Sequence, residues 1–361
     1  MSKYIWFSGA TDVTGQALAD ALGLTGTKSK PRSIQNGDII IGWGAKTDAA
    51  VRLDNATILN HPDKIRNNRN KMSTLTSLYG NRATKPAISA FCGADEVIAA
   101  MDRRRSDIKL PLVGRTNFHQ GGKGFWTCLN KQHVERAIHD GAQYFQNYID
   151  IKDEYRLHVA FGQVIYAVKK VENPTDAGWI AQRKEKVLDY AQKNNQNLDE
   201  STLNYVLSLL VKEAELPDRI VRSNKRGWKF SGVTLNNVSD ALKAMAIKSV
   251  EVTGLDFGAV DCAIGLDNNP YLIEINSGPG LQGTALQKYV EAFRAKINEI
   301  EAPAREERPA ARPAPAARRG RAVGAAVADE APNGGMTRVM RNVRNDEEAQ
   351  AVIAALMRGD M

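Results

Sequence analysis

Over its first 300 residues the chain alternates between two kinds of apolar spacing, which together predict a mixed α+β fold. Residues 4–7 and 38–42 read as short strands, and residues 12–22 between them carry the three-to-four spacing of a helix. They predict a small α/β unit that ends near Leu59. Ile39, Ile40 and Ile41 follow one another without a polar break, as in a strand covered on both faces. Residues 70–78 predict a helix with Asn70 as its N-cap. Residues 110–114 predict a strand ending at Arg115, residues 134–141 a helix, and residues 144–149 another strand. Residues 154–171 predict two strands folded at Gly162 and Gln163. Residues 179–215 read as a polar, helix-rich insertion, and residues 238–252 as a helix with Ala241, Met245 and Val252 along one side. Two apolar runs follow, one carrying Asp261 and the next Glu274 and Asn276, before a last helix over 286–297.

The pattern breaks after Ile300. Residues 301–335 are dominated by Ala, Pro, Arg and Glu and cannot bury enough apolar surface to order themselves. Within 336–361, Val352, Ile353, Leu356 and Met357 recur at helical spacing. A short amphipathic helix is marginal alone and needs a surface to dock on, either the chain's own core or a partner protein.

Composition narrows the classes. A length of 361 residues fits two or three subdomains around a cleft, and 43% hydrophobic with 25% charged residues is ordinary for a globular chain. No apolar stretch is long enough to span a bilayer, and the N-terminus lacks the pattern of a signal peptide. Cys92, Cys128 and Cys262 are far apart and odd in number, giving neither a disulfide framework nor metal-ligand spacing. The expectation is a cytoplasmic protein with no membrane association. The net charge of +8 fits nucleic acid, or equally a site for polyanionic nucleotides and acidic substrates.

The chemistry concentrates near the end of the ordered region. Glu274 and Asn276 are two apart, so in a strand they share a face. An antiparallel neighbour carrying Asp261 adds a second carboxylate. Two carboxylates and an amide oxygen form a hard, oxygen-only cradle suited to magnesium held jointly with nucleotide phosphates. The glycine run Gly121-Gly122-Lys123-Gly124, with His119 just before it, allows backbone amides to approach phosphate oxygens, and Arg115 and Lys123 add charge. It is not a P-loop, and Gly9 to Gly15 lacks the middle glycine of a dinucleotide fingerprint. Arg222, Lys225, Arg226 and Lys229 make a dense cationic segment, which beside a nucleotide site would stabilise charge on a transferring phosphoryl group.

Taken in order, these motifs resemble the ATP-grasp superfamily, and within it the RimK-like carboxylate–amine ligases; the resemblance covers about residues 60–282. Asn60 and Asn70-Lys71 stand where that family has its Asn…Asp-Lys pattern, and Leu112-Val-Gly-Arg115 with the glycine run stands for its strand and flap. Gln146-Asn-Tyr-Ile149 matches its adenine hinge with Asn147 in place of glutamate, and Glu154-Tyr-Arg156 and Lys169-Lys170 match its paired strands. Arg222-Ser-Asn224-Lys-Arg226-Gly matches its basic loop, with Trp228 replacing a glycine, and Asp261, Glu274 and Asn276 match its metal set.

The resemblance implies two α+β lobes gripping ATP. It implies a small N-terminal α/β domain (1–69), an N-lobe with the flap (70–145) and a C-lobe with the metal site (146–300). It implies ATP and Mg2+ as cofactors, with Mn2+ as a substitute, and as substrates a carboxylate and an amine, the amine an amino acid or a peptide or protein. Lys71, Arg115, Gly121, Gly122, Lys123, Gly124, Gln146, Ile149, Asn224 and either Asp153 or Glu154 are then nucleotide-binding. Lys169, Arg222 and Arg226 are catalytic. Two alternatives remain: an ATP-grasp nucleotide-binding scaffold without ligase activity, and a protein whose arginine-rich tail binds nucleic acid. The acidic Glu301, Glu306 and Glu307 in that tail weigh against the second.

Overall fold

The computed structural model describes residues 1–8, 13–32, 34–45, 56–118, 124–172 and 228–302, with 184, 185, 187, 188, 192, 200, 203, 204 and 222 as single positions. The chain starts with four parallel strands, β1 (Lys3–Phe7), β2 (Thr25–Thr27), β3 (Asp38–Trp43) and β4 (Ala56–Leu59), in the order β2-β1-β3-β4. β3 lies inside this sheet and is buried along its whole length, as its unbroken isoleucines predict. Helix α1 (Val13–Leu22) packs on β1. The approach is close enough that a Cβ on Gly15 would stand 2.5 Å from the Phe7 side chain.

Helices α2 (Pro62–Arg69) and α3 (Lys71–Gly80) follow directly on one another. Asn70 separates them, and its Oδ1 accepts from the Ser73 N–H at 3.0 Å. That cap places Lys71 at the first position of α3.

The second sheet is antiparallel and is built from β5 (Phe91–Gly93), β6 (Leu112–Arg115), β7 (Phe125–Cys128) and β8 (Tyr144–Asn147), in the order β5-β8-β6-β7. Helices α4 (Val97–Asp102) and α5 (Lys131–His139) belong to its core. Three residues, 148–150, connect β8 to the third sheet.

That third sheet is also antiparallel. Its strands are β9 (Ile151–Ala160), β10 (Gln163–Glu172), β11 (Trp228–Gly232), β12 (Phe257–Gly265) and β13 (Pro270–Asn276), in the order β11-β10-β9-β12-β13. Phe161 and Gly162, both at positive φ (51° and 77°), make the two-residue turn between β9 and β10. Helix α6 (Asp240–Val252) packs on one face of this sheet through Leu242, Met245, Ala246, Ser249 and Val250. Of the predicted side, Met245 is buried and Val252 packs against the core, while Ala241 is exposed and Leu242 is buried in its place. Helix α7 (Thr284–Glu301) joins Trp43 of β3 and Phe257 of β12 in an aromatic cluster. Trp43 stacks on Phe257 at 5.5 Å, and Phe257 meets Phe293 edge-on at 4.9 Å.

Strand parity decides what each face of the third sheet carries. Tyr155, Leu157, Val260 and Cys262 face the core shared with α6. Glu154, Arg156 and His158 alternate with Tyr155 and Leu157 and face the other way.

The chain divides into two units, Met1–Gln182 with Leu209–Ile300 and Arg183–Ser208 with Glu301–Met361. In the second unit Val187 and Leu203 are buried. Most of the predicted insertion (179–215), the linker (301–335 beyond Ala302) and the short C-terminal helix (336–361) lie outside the described residues. Among the described residues no helix is long and apolar enough to cross a membrane.

Asn60 fastens the first sheet to the third. It is fully buried at φ 56°, a left-handed conformation that asparagine tolerates better than most residues. Its Oδ1 accepts from the N–H groups of Asp256 (2.7 Å) and Phe257 (3.2 Å), and its Nδ2 donates to Phe257 O (2.9 Å). Its own N–H donates to Asp256 Oδ2 at 2.6 Å. Replacing Asn60 with Ala leaves several buried polar groups without partners, at about 1–3 kcal/mol each before relaxation. Asn60→Ala is expected to lower unfolding stability by about 3 kcal/mol in urea denaturation; a change below about 0.5 kcal/mol would refute the clamp.

Candidate functional site

β12 and β13 pair antiparallel with Asp261 opposite Glu274 and Ala259 opposite Asn276. The register shifts between Asp261 and Cys262, so Ile273 is left without a partner in the ladder. Leu272 turns into the α6 core while Glu274 stays beside Asp261. Asn276 completes the group. Its Nδ2 donates to Glu274 Oε1 at 3.0 Å and lies 3.4 Å from Asp261 Oδ2. The three residues singled out from the sequence therefore meet at one point. A half-turn of the Asn276 amide brings its oxygen to the same place.

Asp261 is buried, and burial pushes its carboxyl above the ordinary value; Arg156 opposes the rise and Glu274 adds to it. Arg156 lies directly across on β9 and grips Asp261 with two hydrogen bonds, Nε to Oδ1 at 2.6 Å and Nη2 to Oδ2 at 2.8 Å. Burial works against the Arg156 charge, but the bond to Asp261 outweighs it and holds the guanidinium firmly protonated.

One cation from another element reaches Glu274, and a second lies nearby beside Tyr144. Lys71 Nζ, at the head of α3, is 3.7 Å from Glu274 Oε2. Arg115, at the end of β6, lies close enough to the Tyr144 hydroxyl to influence its charge. Burial keeps that hydroxyl protonated; Arg115 opposes the effect and the charge of Glu274 reinforces it. The Nε of Arg115 is buried with no hydrogen-bond partner, a donor without an acceptor. Asn117 O accepts from the Lys71 N–H at 3.1 Å, so the segment after β6 is tied to α3.

Glu154 projects from the same face of β9 as Arg156 and pairs with Lys170 of β10. Burial raises the Glu154 carboxyl, with Lys170 opposing. Phe230 of β11 lies opposite Lys170, and its ring is 4.8 Å from the Arg156 guanidinium and 5.6 Å from Lys170 Nζ. Arg222 donates through Nη2 to Ile151 O at 2.6 Å and stacks on Trp228 at 4.6 Å. Its Nε is likewise buried and unpartnered, and burial works against its charge.

Parity separates two of the other predicted residues from this group. Lys169 pairs with Asp153 at 2.7 Å beside Tyr155, on the α6 side of the sheet. Glu154 rather than Asp153, and Lys170 rather than Lys169, therefore share the face of Asp261. In the hinge, Gln146 Nε2 reaches Ser89 Oγ at 3.4 Å, and Ile149 lies in the connection between β8 and β9. Asn147 is held by the framework: its Oδ1 accepts from Lys109 N–H at 3.0 Å and its Nδ2 donates to Asp107 O at 2.8 Å. Gly124 has φ 64°, and a Cβ there would stand 2.7 Å from Thr116 Oγ1, so only glycine fits. His119, Gly121, Gly122, Lys123, Asn224 and Arg226 lie outside the described residues. Arg156, Lys170 and Tyr144 belong to the cluster although the sequence reading gave them no site role. Counting by twos along β9 from Glu154 would have found Arg156.

The donor set suits a hard divalent cation, since it offers two carboxylates and an amide and no sulfur or imidazole. Among the described residues three or more His, Cys, Asp or Glu side chains nowhere gather in metal-binding geometry, so the amide is needed to complete a set. Lys71 and Arg115, the latter with its Nε unpartnered, suit a polyphosphate.

No family model and no curated protein matches the sequence. Solved structures do match the fold. The ATP-grasp ligase PsnB, complexed with minimal precursor, Mg and ADP, is 14% identical with a TM-score of 0.51, over 82% of this chain and 97% of its own. The D-alanine–D-alanine ligase of Bacillus anthracis is 11% identical with a TM-score of 0.50, over 82% of this chain and 94% of its own. The chain has the ATP-grasp fold.

His158 lies next to Arg156 on the same face of β9 and is almost fully buried, with its Nδ1 unpartnered. Burial, and secondarily the charge of Arg156, push its pKa down to about 4 from 6.5. The unfolded chain takes up this proton first, so the contribution of His158 is complete above pH 6.5 and is lost as pH falls towards about 4. The expected loss over that window is about 3 kcal/mol. His158→Phe, which keeps a ring against Tyr289, should flatten the stability profile between pH 6.5 and 4; an unchanged profile would contradict burial of a neutral imidazole.

Proposed function

We propose that this chain is an ATP-dependent carboxylate–amine ligase that forms an amide through an acylphosphate. The observation that supports it most is the ladder pairing of Asp261 with Glu274, bridged by Asn276 and approached by Lys71 from another element. In this reading Asp261, Glu274 and Asn276 hold magnesium. When bound, the ion supplies charge neutralisation and a template for the nucleotide phosphates.

The chain's own residues do the rest. Lys71 and Arg115 bind the α- and β-phosphates, and the glycine run at 121–124 covers them. Glu154 receives the ribose and the 146–149 hinge the adenine. Arg156 holds the Asp261 carboxylate in place and ionised. A substrate carboxylate oxygen attacks the γ-phosphorus and ADP leaves, giving the acylphosphate. An amine nitrogen then attacks the acyl carbon, loses a proton and expels phosphate. Arg222 and Arg226 stabilise charge on the phosphoryl group and the acyl oxygen. Lys169 pairs with Asp153 on the opposite face of the sheet from this group, so its catalytic role requires that pair to open. Catalysis here is positioning and electrostatics, with little covalent work for the protein.

We further read the acceptor as a peptide or protein. The structural neighbour PsnB was solved with a precursor peptide, and a basic chain suits an acidic acceptor.

Release of ADP and phosphate should require an acid and an amine together, and mass spectrometry of reactions with pooled amino acids and peptides should reveal a product joined with loss of water. Glu274→Ala should lower turnover at least 1000-fold, about 4 kcal/mol in the barrier. Product formation by Glu274→Ala at near-normal rate with magnesium would overturn the metal assignment. Nucleotide binding by the wild type without any product from the pools would favour a scaffold instead.

A further inference from the structure

A second cavity, of about 550 Å3, flanks the hinge. Residues 147–150 line it, and 147–149 among them belong to the hinge that the nucleotide reading gives to the adenine, so the two sites adjoin there. One wall is the segment around Ser89 that leads from α3 into β5, and the other is the β12–β13 turn with Leu266, Asp267 and Tyr271. The size is that of a small-molecule pocket. None of the side chains gathered around Asp261 and Glu274 lines it.

The two spaces have opposite charge. Lys71, Arg115, Arg156, Lys170 and Arg222 surround the carboxylates of the main cleft, which suits a polyanion. The cavity lining contains Asp150 and Asp267 and no Lys, Arg or His. Asp267 is fixed in place as an anion. The Tyr271 hydroxyl donates to it at 2.7 Å, and Asn269 donates through its backbone N–H at 3.0 Å and its Nδ2 at 2.9 Å. These bonds hold its carboxyl below the usual range. The same bond anchors the Tyr271 ring in the wall, while Leu266 stands largely exposed at the rim. An anchored aromatic ring, apolar rims and two carboxylates form a recognition surface for a cation carried on an apolar or aromatic body. A nucleotide phosphate would be repelled from it.

The walls belong to different sheets that are joined covalently through residues 148–150 alone in this part of the fold. A ligand touching both walls is therefore sensitive to how far the second and third sheets stand apart. If it prefers one spacing, it biases that spacing, and the nucleotide cleft between the same sheets must respond.

We propose that this cavity is a second small-molecule site, that it takes an organic cation of the amine or guanidinium class, and that its occupancy modulates nucleotide affinity at the main cleft. The modulation, though not the binding, rests on the nucleotide reading of that cleft.

Benzamidine is a suitable probe, with benzamide as its uncharged isostere, measured against the full chain by saturation-transfer NMR and calorimetry. Benzamidine should bind at least tenfold more tightly than benzamide. Asp267→Asn and Leu266→Lys, both at exposed positions next to β13 and outside the hinge, should each weaken benzamidine at least fivefold while leaving ADP affinity in its absence unchanged. Saturating benzamidine should change the ADP dissociation constant at least twofold in the wild type and not in Leu266→Lys. Equal binding of the two probes, indifference to both substitutions, or complete displacement of benzamidine by ADP would overturn the site. Benzamidine binding without any change in ADP affinity would overturn the modulation. If benzamidine binds as described and ADP does not bind at all, the nucleotide reading fails and the cation site stands.

Discussion

Two carboxylates held side by side, one of them buried, set the terms for the rest of this molecule. Neighbouring anions in a poorly solvated place repel by several kcal/mol, and each also loses hydration. Such a pair persists only where cations or a bound metal offset the cost. The fold brings those cations from separate places. Arg156 comes from the next strand of the same sheet, Lys71 from the capped start of α3, and Arg115, at the end of β6 in another sheet, shares the neighbourhood of Tyr144 with Glu274. None of the three is near Asp261 or Glu274 in sequence. The tertiary structure can thus be read as a device for concentrating positive charge around two negative ones, with room left for a polyanion.

The framework that allows this is apolar and hydrogen-bonded in the ordinary way. Asn60 locks β4 to the start of β12. The cluster of Trp43, Phe257, Tyr289 and Phe293 fixes the first sheet against the third through α7. Close backbone contact continues at the turn after the metal strand. Gly44 N–H donates to Ser277 O at 3.2 Å, and a Cβ on Gly278 would stand 2.7 Å from Gly44 N. These contacts position the end of β13, and with it Asn276, by the backbone rather than by long side chains.

Much of this was legible in the chain, for identifiable reasons. Apolar runs gave β3, β9, β10, β12 and β13, and the two-residue spacing of Glu274 and Asn276 put both on one face, where an antiparallel neighbour could bring Asp261. Asn70 announced the start of α3 by its chemistry as a cap. Short edge elements such as β2, β5 and β11 were not legible, since three to five residues carry too little pattern. Helix α2 was missed because its composition is mostly polar, with Ile65 its one strongly apolar side chain. The choice between Asp153 and Glu154, and between Lys169 and Lys170, needed the pairing register of β9 with β10 and β12. One residue of shift exchanges the two faces. The stacking of Phe230 over Arg156 needed the third dimension altogether.

The central claim is that Asp261, Glu274 and Asn276 together bind a divalent cation beside a nucleotide. Crystals grown with Mn2+ and ADP, with data collected at the manganese edge, test it most directly. The account predicts an anomalous peak about 2.2 Å from oxygens of all three side chains, shared with a phosphate oxygen of ADP. A manganese peak elsewhere, or ADP bound with the three side chains still hydrogen-bonded only to one another and to Arg156, would contradict it.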